Sequence, residues 1–119
     1  MVRTGGGDDS QGKEKAGEVV MDAARWNSMS VSEQILNIGG EVQRAVDRKQ
    51  RNDDHNAQVY LNKALEWLAL TKADPKNRHR VAELNDAEEE LQDYFDKNTW
   101  NNDSESVMGY WNSFLSARF

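Results

Sequence analysis

SVSEQILNIGGEVQRAVDRKQR, residues 30–51, and HNAQVYLNKALEWLALTK, residues 55–72, decide the fold. In the first stretch Val31, Ile35, Ile38, Val42 and Ala45 recur every three or four positions, which puts them on one stripe of a helix. Ser30 followed by Glu33 is a capping-box pattern, in which each side chain satisfies an amide that the first helical turn leaves unpaired. Arg44, Arg48, Lys49 and Arg51 crowd the last turns, where the helix dipole favours positive charge. Asn52-Asp53-Asp54 supplies a turn and the next N-cap. The second stretch gathers Ala57, Tyr60, Leu61, Ala64, Leu65 and Leu68 on an apolar face, and Trp67 and Leu70 widen it. It is the most hydrophobic segment and the expected centre of the core.

Working outward, Asp74-Pro75 reads as an N-cap and first helical residue, since proline's missing amide costs nothing there. A third helix is expected from there to about Asp96, with Val81, Leu84, Ala87, Leu91, Tyr94 and Phe95 facing inward. A polar loop holding Trp100 follows. Asp103 or Ser104 then caps a fourth helix bearing Val107, Met108, Trp111, Phe114 and Leu115. Upstream, residues 18–27 read as a short docking turn or helix with Val20, Ala23 and Ala24 on one side. Residues 1–17 are Gly-rich, charged and almost without large apolar groups, the composition of a disordered tail. Strand signals are weak: no β-branched alternation and no Asn-Gly or Asp-Gly turn appears. The expected architecture is all-α, an antiparallel four-helix bundle over residues 28–119.

Composition narrows the function classes. The chain has 119 residues, a length for one domain, and its 15 Lys+Arg against 21 Asp+Glu leave a formal charge of -6. That acidity argues against a dedicated nucleic-acid binder. Cysteine is absent, which excludes disulfides, thiolate metal sites and thiol nucleophiles. No apolar run reaches the ~18–20 residues that span a bilayer, and no signal-peptide pattern opens the chain. The expectation is a cytoplasmic protein without a membrane partner.

Several stretches carry a resemblance. Trp26-Asn-Ser-Met-Ser30, Gln34-Ile-Leu-Asn-Ile-Gly-Gly-Glu-Val42, Lys63-Ala-Leu-Glu-Trp-Leu-Ala-Leu-Thr71, Asp74-Pro75, Glu89-Glu-Leu-Gln-Asp-Tyr-Phe95 and Ser116-Ala-Arg118 together resemble a family of small uncharacterised bacterial proteins of about a hundred residues. The likeness covers residues 26–118. It implies a bacterial source and an all-helical fold, and no activity comes with it. The chain departs from the family pattern where Lys76-Asn77-Arg78 replaces Arg-Trp-Arg, and where Gln92 replaces a cysteine. Tyr60 to Asn77 resembles the second helix of a tetratricopeptide repeat, but a repeat fold needs about three units. The spacing of Arg48 and His55 resembles the Arg-six-residues-His pattern of the small helical nucleases and toxins called HEPN.

The remaining constellations each admit a bland and a sharp reading. Glu83, Asp86, Glu88, Glu89, Glu90, Asp93 and Asp96 read as a solvated face, because no Glu-x-x-His or His-x-x-x-His accompanies them to make a metal site. Arg44, Arg48, Lys49 and Arg51 close the first helix, and Lys76, Arg78, His79 and Arg80 open the third. Read as lying at one end of the bundle, the two groups would form a basic patch for an anion or an acidic partner. The bland alternative pairs them with Asp47, Asp53, Asp54 or Asp74. His55 and His79, the two histidines of the chain, lack a second catalytic group and read as surface residues. Gly39-Gly40 inside a helix suggests close approach of a ring such as Trp67 or Trp111. Trp100 and Tyr110 stand between burial and partner contact.

The functional expectation is a non-enzymatic module that binds a partner protein or itself through an aromatic or basic helical surface. Its candidate residues are Arg44, Arg48, Arg51, Arg78, Arg80, Trp100 and Tyr110, with neither cofactor nor metal. The rival from another class is a HEPN-like RNA-cleaving enzyme, or its companion subunit in a toxin–antitoxin-type pair, with Arg48 and His55 in the active site.

Overall fold

Ser30 starts the longest continuous run of packing. Its hydroxyl accepts from the Glu33 amide at 3.1 Å while the Glu33 carboxylate accepts from the Ser30 amide at 2.9 Å, so the capping box forms as the sequence predicts. The computed structural model of the protein describes residues 21–99 and 103–118, with backbone alone at 110 and 113–118. Five α-helices and one 3-10 helix follow in order: α1 (Ala23–Asn27), α2 (Val31–Gln50), α3 (Asp54–Ala73), the 3-10 helix (Pro75–Arg80), α4 (Val81–Phe95) and α5 (Ser104–Arg118). The described residues contain no strand, and the fold is all-α.

α2 and α3 form the central hairpin. Asn52 turns the chain with φ 62°, and the amides of Asn52 and Asp53 donate to the Lys49 and Arg48 carbonyls at 3.0 and 2.9 Å. That arrangement satisfies the carbonyls α2 leaves open at its end. Asp53 caps α3 by accepting from the Asn56 amide. Along the hairpin, Ile35, Ile38, Val42, Ala45 and Val46 of α2 meet Leu61, Ala64 and Leu68 of α3 in the buried core. Leu84, Ala87, Leu91 and Tyr94 of α4 and Val107 and Trp111 of α5 complete it. Each large apolar side chain so buried contributes roughly 1.5–3 kcal/mol. Trp111 explains Gly39: a Cβ there would lie 2.8 Å from the indole Nε1, so only glycine lets α5 come this close to α2.

Three details differ from the sequence reading. In α1 the inward residue is Trp26, fully buried, while Ala23 and Ala24 are exposed; one large ring outweighs two methyl groups in choosing the packed side. Val20 and the tail lie outside the described residues. The third helix begins as a 3-10 turn from Pro75 to Arg80 and becomes α-helical only at Val81. Within that turn Asn77 is buried, and its side chain donates to Gln34 and to the Thr71 carbonyl. Lastly Leu65, expected in the core, is only half-buried.

The described residues span 51 × 37 × 19 Å between their Cα extremes. The shortest dimension is less than two helix diameters. α3 packs against α1, α2, the 3-10 helix and α4, and its outward residues such as Val59 and Glu66 are exposed.

Candidate functional site

Two places concentrate polar chemistry, and a third is a groove lined by both polar and apolar side chains. The first lies where α1, the start of α2, the end of α3 and the 3-10 helix meet. Gln34, Thr71, Asp74 and Asn77 are buried there. The Gln34 amide donates to the Trp26 carbonyl at 2.9 Å and to Asp74 Oδ2 at 2.8 Å. Asn77 Nδ2 donates to Gln34 Oε1 and to the Thr71 carbonyl, both at 3.0 Å. The Trp26 indole donates to Thr71 Oγ1 at 2.8 Å, and that hydroxyl donates to the Trp67 carbonyl at 2.7 Å. Asp74 also takes the Lys76 ammonium and, at 3.1 Å, the Lys76 amide. Burial pushes the Asp74 carboxyl up, but the hydrogen bonds from Lys76 and Gln34 outweigh it and hold the group below its ordinary range. Each side-chain group in the cluster has a partner, which makes it a structural lock rather than a reactive site. Sequence reasoning found Asp74 only as a cap and missed Gln34, Thr71 and Asn77. The available signal was polar residues at inward positions of otherwise apolar stripes.

The second place is the turn between α2 and α3. Asp53 lies 3.7 Å from the Arg48 guanidinium and feels the charge of His55. The Asn56 side chain and amide, with lesser help from Arg48 and His55, lower its pKa. Arg48 is half-exposed and His55 exposed at the start of α3. The two residues thus flank one carboxylate, and that carboxylate engages the guanidinium.

The basic residues do not gather into one patch. Gln34, in the first turn of α2, bonds Asp74 and Asn77, so the 3-10 helix sits beside the beginning of α2. Arg44, Arg48 and Arg51 lie on its last turns, on the order of 20 Å away at 1.5 Å per residue. The reason is the path itself: after an antiparallel hairpin, a third segment starts where the first one began. Most of these cations have acid partners nearby. Arg44 meets Glu41 at 2.9 Å, Arg51 meets Asp47 at 3.4 Å and Arg80 meets Glu83 at 3.6 Å. Arg78 and His79 are exposed on the 3-10 helix. Trp100 and the Tyr110 side chain lie outside the described residues.

The third place is the groove between α3 and α4. It has a volume of about 580 Å³ and is lined by Gln58, Leu61 and Leu65 from α3, and by Glu89, Gln92, Asp93, Phe95 and Asp96 from α4 and its end. A smaller cleft sharing Gln58 and Phe95 extends it past Ala57 to Lys49 and Asp54. Leu65 and Phe95 are half-buried here, whereas Glu89, Gln92 and Asp96 on the rim are exposed. The acidic run of α4 therefore borders an apolar floor as well as solvent. No group of three or more potential metal ligands occurs among the described residues, and no described helix is long and apolar enough to cross a membrane. Compared with models of protein families, with curated proteins and with solved structures, the chain matches none.

Proposed function

We propose that the protein is a non-enzymatic interaction module of the bacterial cytoplasm, its four longer helices acting as one antiparallel bundle. Its docking surface is the groove between α3 and α4. The carrying observation is that Leu65 and Phe95, side chains of core type, line this groove half-exposed. A partner helix or a second copy of the chain would remove that surface from water. Burial of apolar area drives such association, and a few anchor residues dominate it. The paired cations at the helix ends support this choice over a basic surface, since exposed ion pairs already satisfy them.

The test is a photo-crosslinking amino acid placed at Gln92 on the groove rim and, as control, at Gln43 on α2. A discrete adduct from Gln92 alone, in living cells, is expected. Equal labelling from both positions, or none from Gln92, overturns the reading. The rival, RNA cleavage by Arg48 and His55, draws on their common neighbour Asp53. It requires RNA-cleaving activity that Arg48→Ala abolishes without unfolding the protein.

A further inference from the structure

We infer that the occupant of the α3–α4 groove is a cationic amphipathic helix of a partner protein. This rests on the groove being the docking surface and adds the chemistry of what docks. An incoming helix would meet Leu65 of α3 and Phe95 of α4, both half-buried, while Leu61 and Ala57, one and two turns earlier on α3, are buried. Helices enter such grooves through apolar residues at i and i+4. The described residues have no strand edge to which an extended peptide could add.

Charge selects the flanks of the incoming helix. α4 (VAELNDAEEELQDYF) contains no Lys or Arg. Two of its carboxylates are occupied away from the groove, Glu83 by Arg80 and Glu88 by Lys72. Glu89 and Asp96 stand exposed on the groove rim, with Asp93 between them. The cation at the mouth, Lys49, sits 5.0 Å over the Tyr94 ring and beside Asp54. The α4 wall of the groove is therefore acidic through Glu89, Asp93 and Asp96, whereas α3 contributes the neutral Gln58, and a helix with Lys or Arg beside its apolar stripe fits that wall. A second copy of this chain fits it poorly, because Arg44, Arg48, Arg51 and Arg80 each face an acid of their own. Complementarity of this kind sets partner choice and association rate.

The experiment uses the full chain and two labelled synthetic helices. Both carry Leu at i and i+4; one has Lys on its flanks and the other Glu. Fluorescence anisotropy should show binding of the Lys helix, weakening about tenfold or more as salt rises. The double variant Glu89→Lys/Asp96→Lys should weaken it at least about tenfold, while Glu66→Lys/Glu105→Lys, of equal charge but outside the groove, should change it little. Leu65→Ser should weaken binding at every salt concentration; its fold is checked by circular dichroism, and the rim variants test the inference independently of it. Equal losses from both double variants, or equal binding of the Glu helix, would overturn the cationic assignment. A groove-specific adduct in cells, without binding of the Lys helix, would overturn this inference and leave the docking surface standing. If the adduct is missing as well, both fall.

Discussion

Adjacent glycines in α2 have opposite roles. At Gly39 a methyl group would press on the buried Trp111 ring, 2.8 Å from Nε1 and 3.1 Å from Cδ1. At Gly40 it would meet only the Arg44 guanidinium at 3.5 Å, an ordinary contact with a mobile side-chain end. Alanine gains about 0.5–1 kcal/mol over glycine in a helix. Gly40→Ala should therefore stabilise the protein by about that amount. Gly39→Ala should destabilise it by about 1–3 kcal/mol, the usual effect of overpacking. Urea unfolding of the two variants checks the difference in sign. Thr71 offers a second residue-scale test. Its hydroxyl takes the Trp26 indole proton at 2.8 Å, so Thr71→Val keeps the volume but leaves a buried donor without a partner. A loss of about 1–3 kcal/mol is expected in the same unfolding measurement. A neutral result would show that the Trp26 ring re-seats.

Among the elements, the two long helices were legible in the sequence because each property pointed the same way: period, caps and end charges. The Ser30–Glu33 box, the turn at Asn52 and the Asp53 cap all formed where their residue types placed them. The approach of Trp111 to Gly39 was legible too, since a glycine inside a helix calls for a reason. The 3-10 segment was not legible: Asn77, buried within it, bonds Gln34, 43 residues away, as well as the Thr71 carbonyl. Pairings at such separation leave no trace in a local window. The relative placement of the basic clusters depends on chain path rather than composition. Leu65 reads as core from its type, whereas the structure leaves it half-exposed in the groove beside α4.

The junction of these elements has its own pH dependence. The Asp74 carboxyl is held below its unfolded value of 3.8, so the folded state binds its proton less readily than the unfolded state. Its contribution is complete above the unfolded value and is lost as pH falls through the lower folded one. Asp53 and Asp103, lowered chiefly by hydrogen bonds from Asn56 and Ser106, act in the same direction. Thermal melts should be flat from neutral pH to about 5 and fall below about 4. Asp74→Asn should lower the melting temperature at pH 7 and shrink the acid-dependent drop, leaving the part due to Asp53 and Asp103. Asp74→Ala removes a buried acceptor from Gln34 and Lys76 and should cost about 2–4 kcal/mol.

For the whole molecule, groove and charge act together. Among the described residues, which measure 19 Å in the shortest direction, Leu65 on one flank of α3 remains half-exposed in the groove beside α4. α4 carries six acids and no Lys or Arg, and two of the six, Glu89 and Asp93, line the groove together with Asp96 just beyond the helix. The proposed partner helix, of opposite sign, would be drawn to this acidic wall. Light scattering of the isolated chain should accordingly report a monomer, with the groove open until a partner arrives. The most direct test is a backbone amide NMR titration with the Lys-flanked helix. Shifts confined to Gln58–Leu65 of α3 and Glu89–Asp96 at the end of α4 are predicted. Shifts centred on α5 or on the 3-10 segment, or no shifts at saturating peptide, would contradict the account.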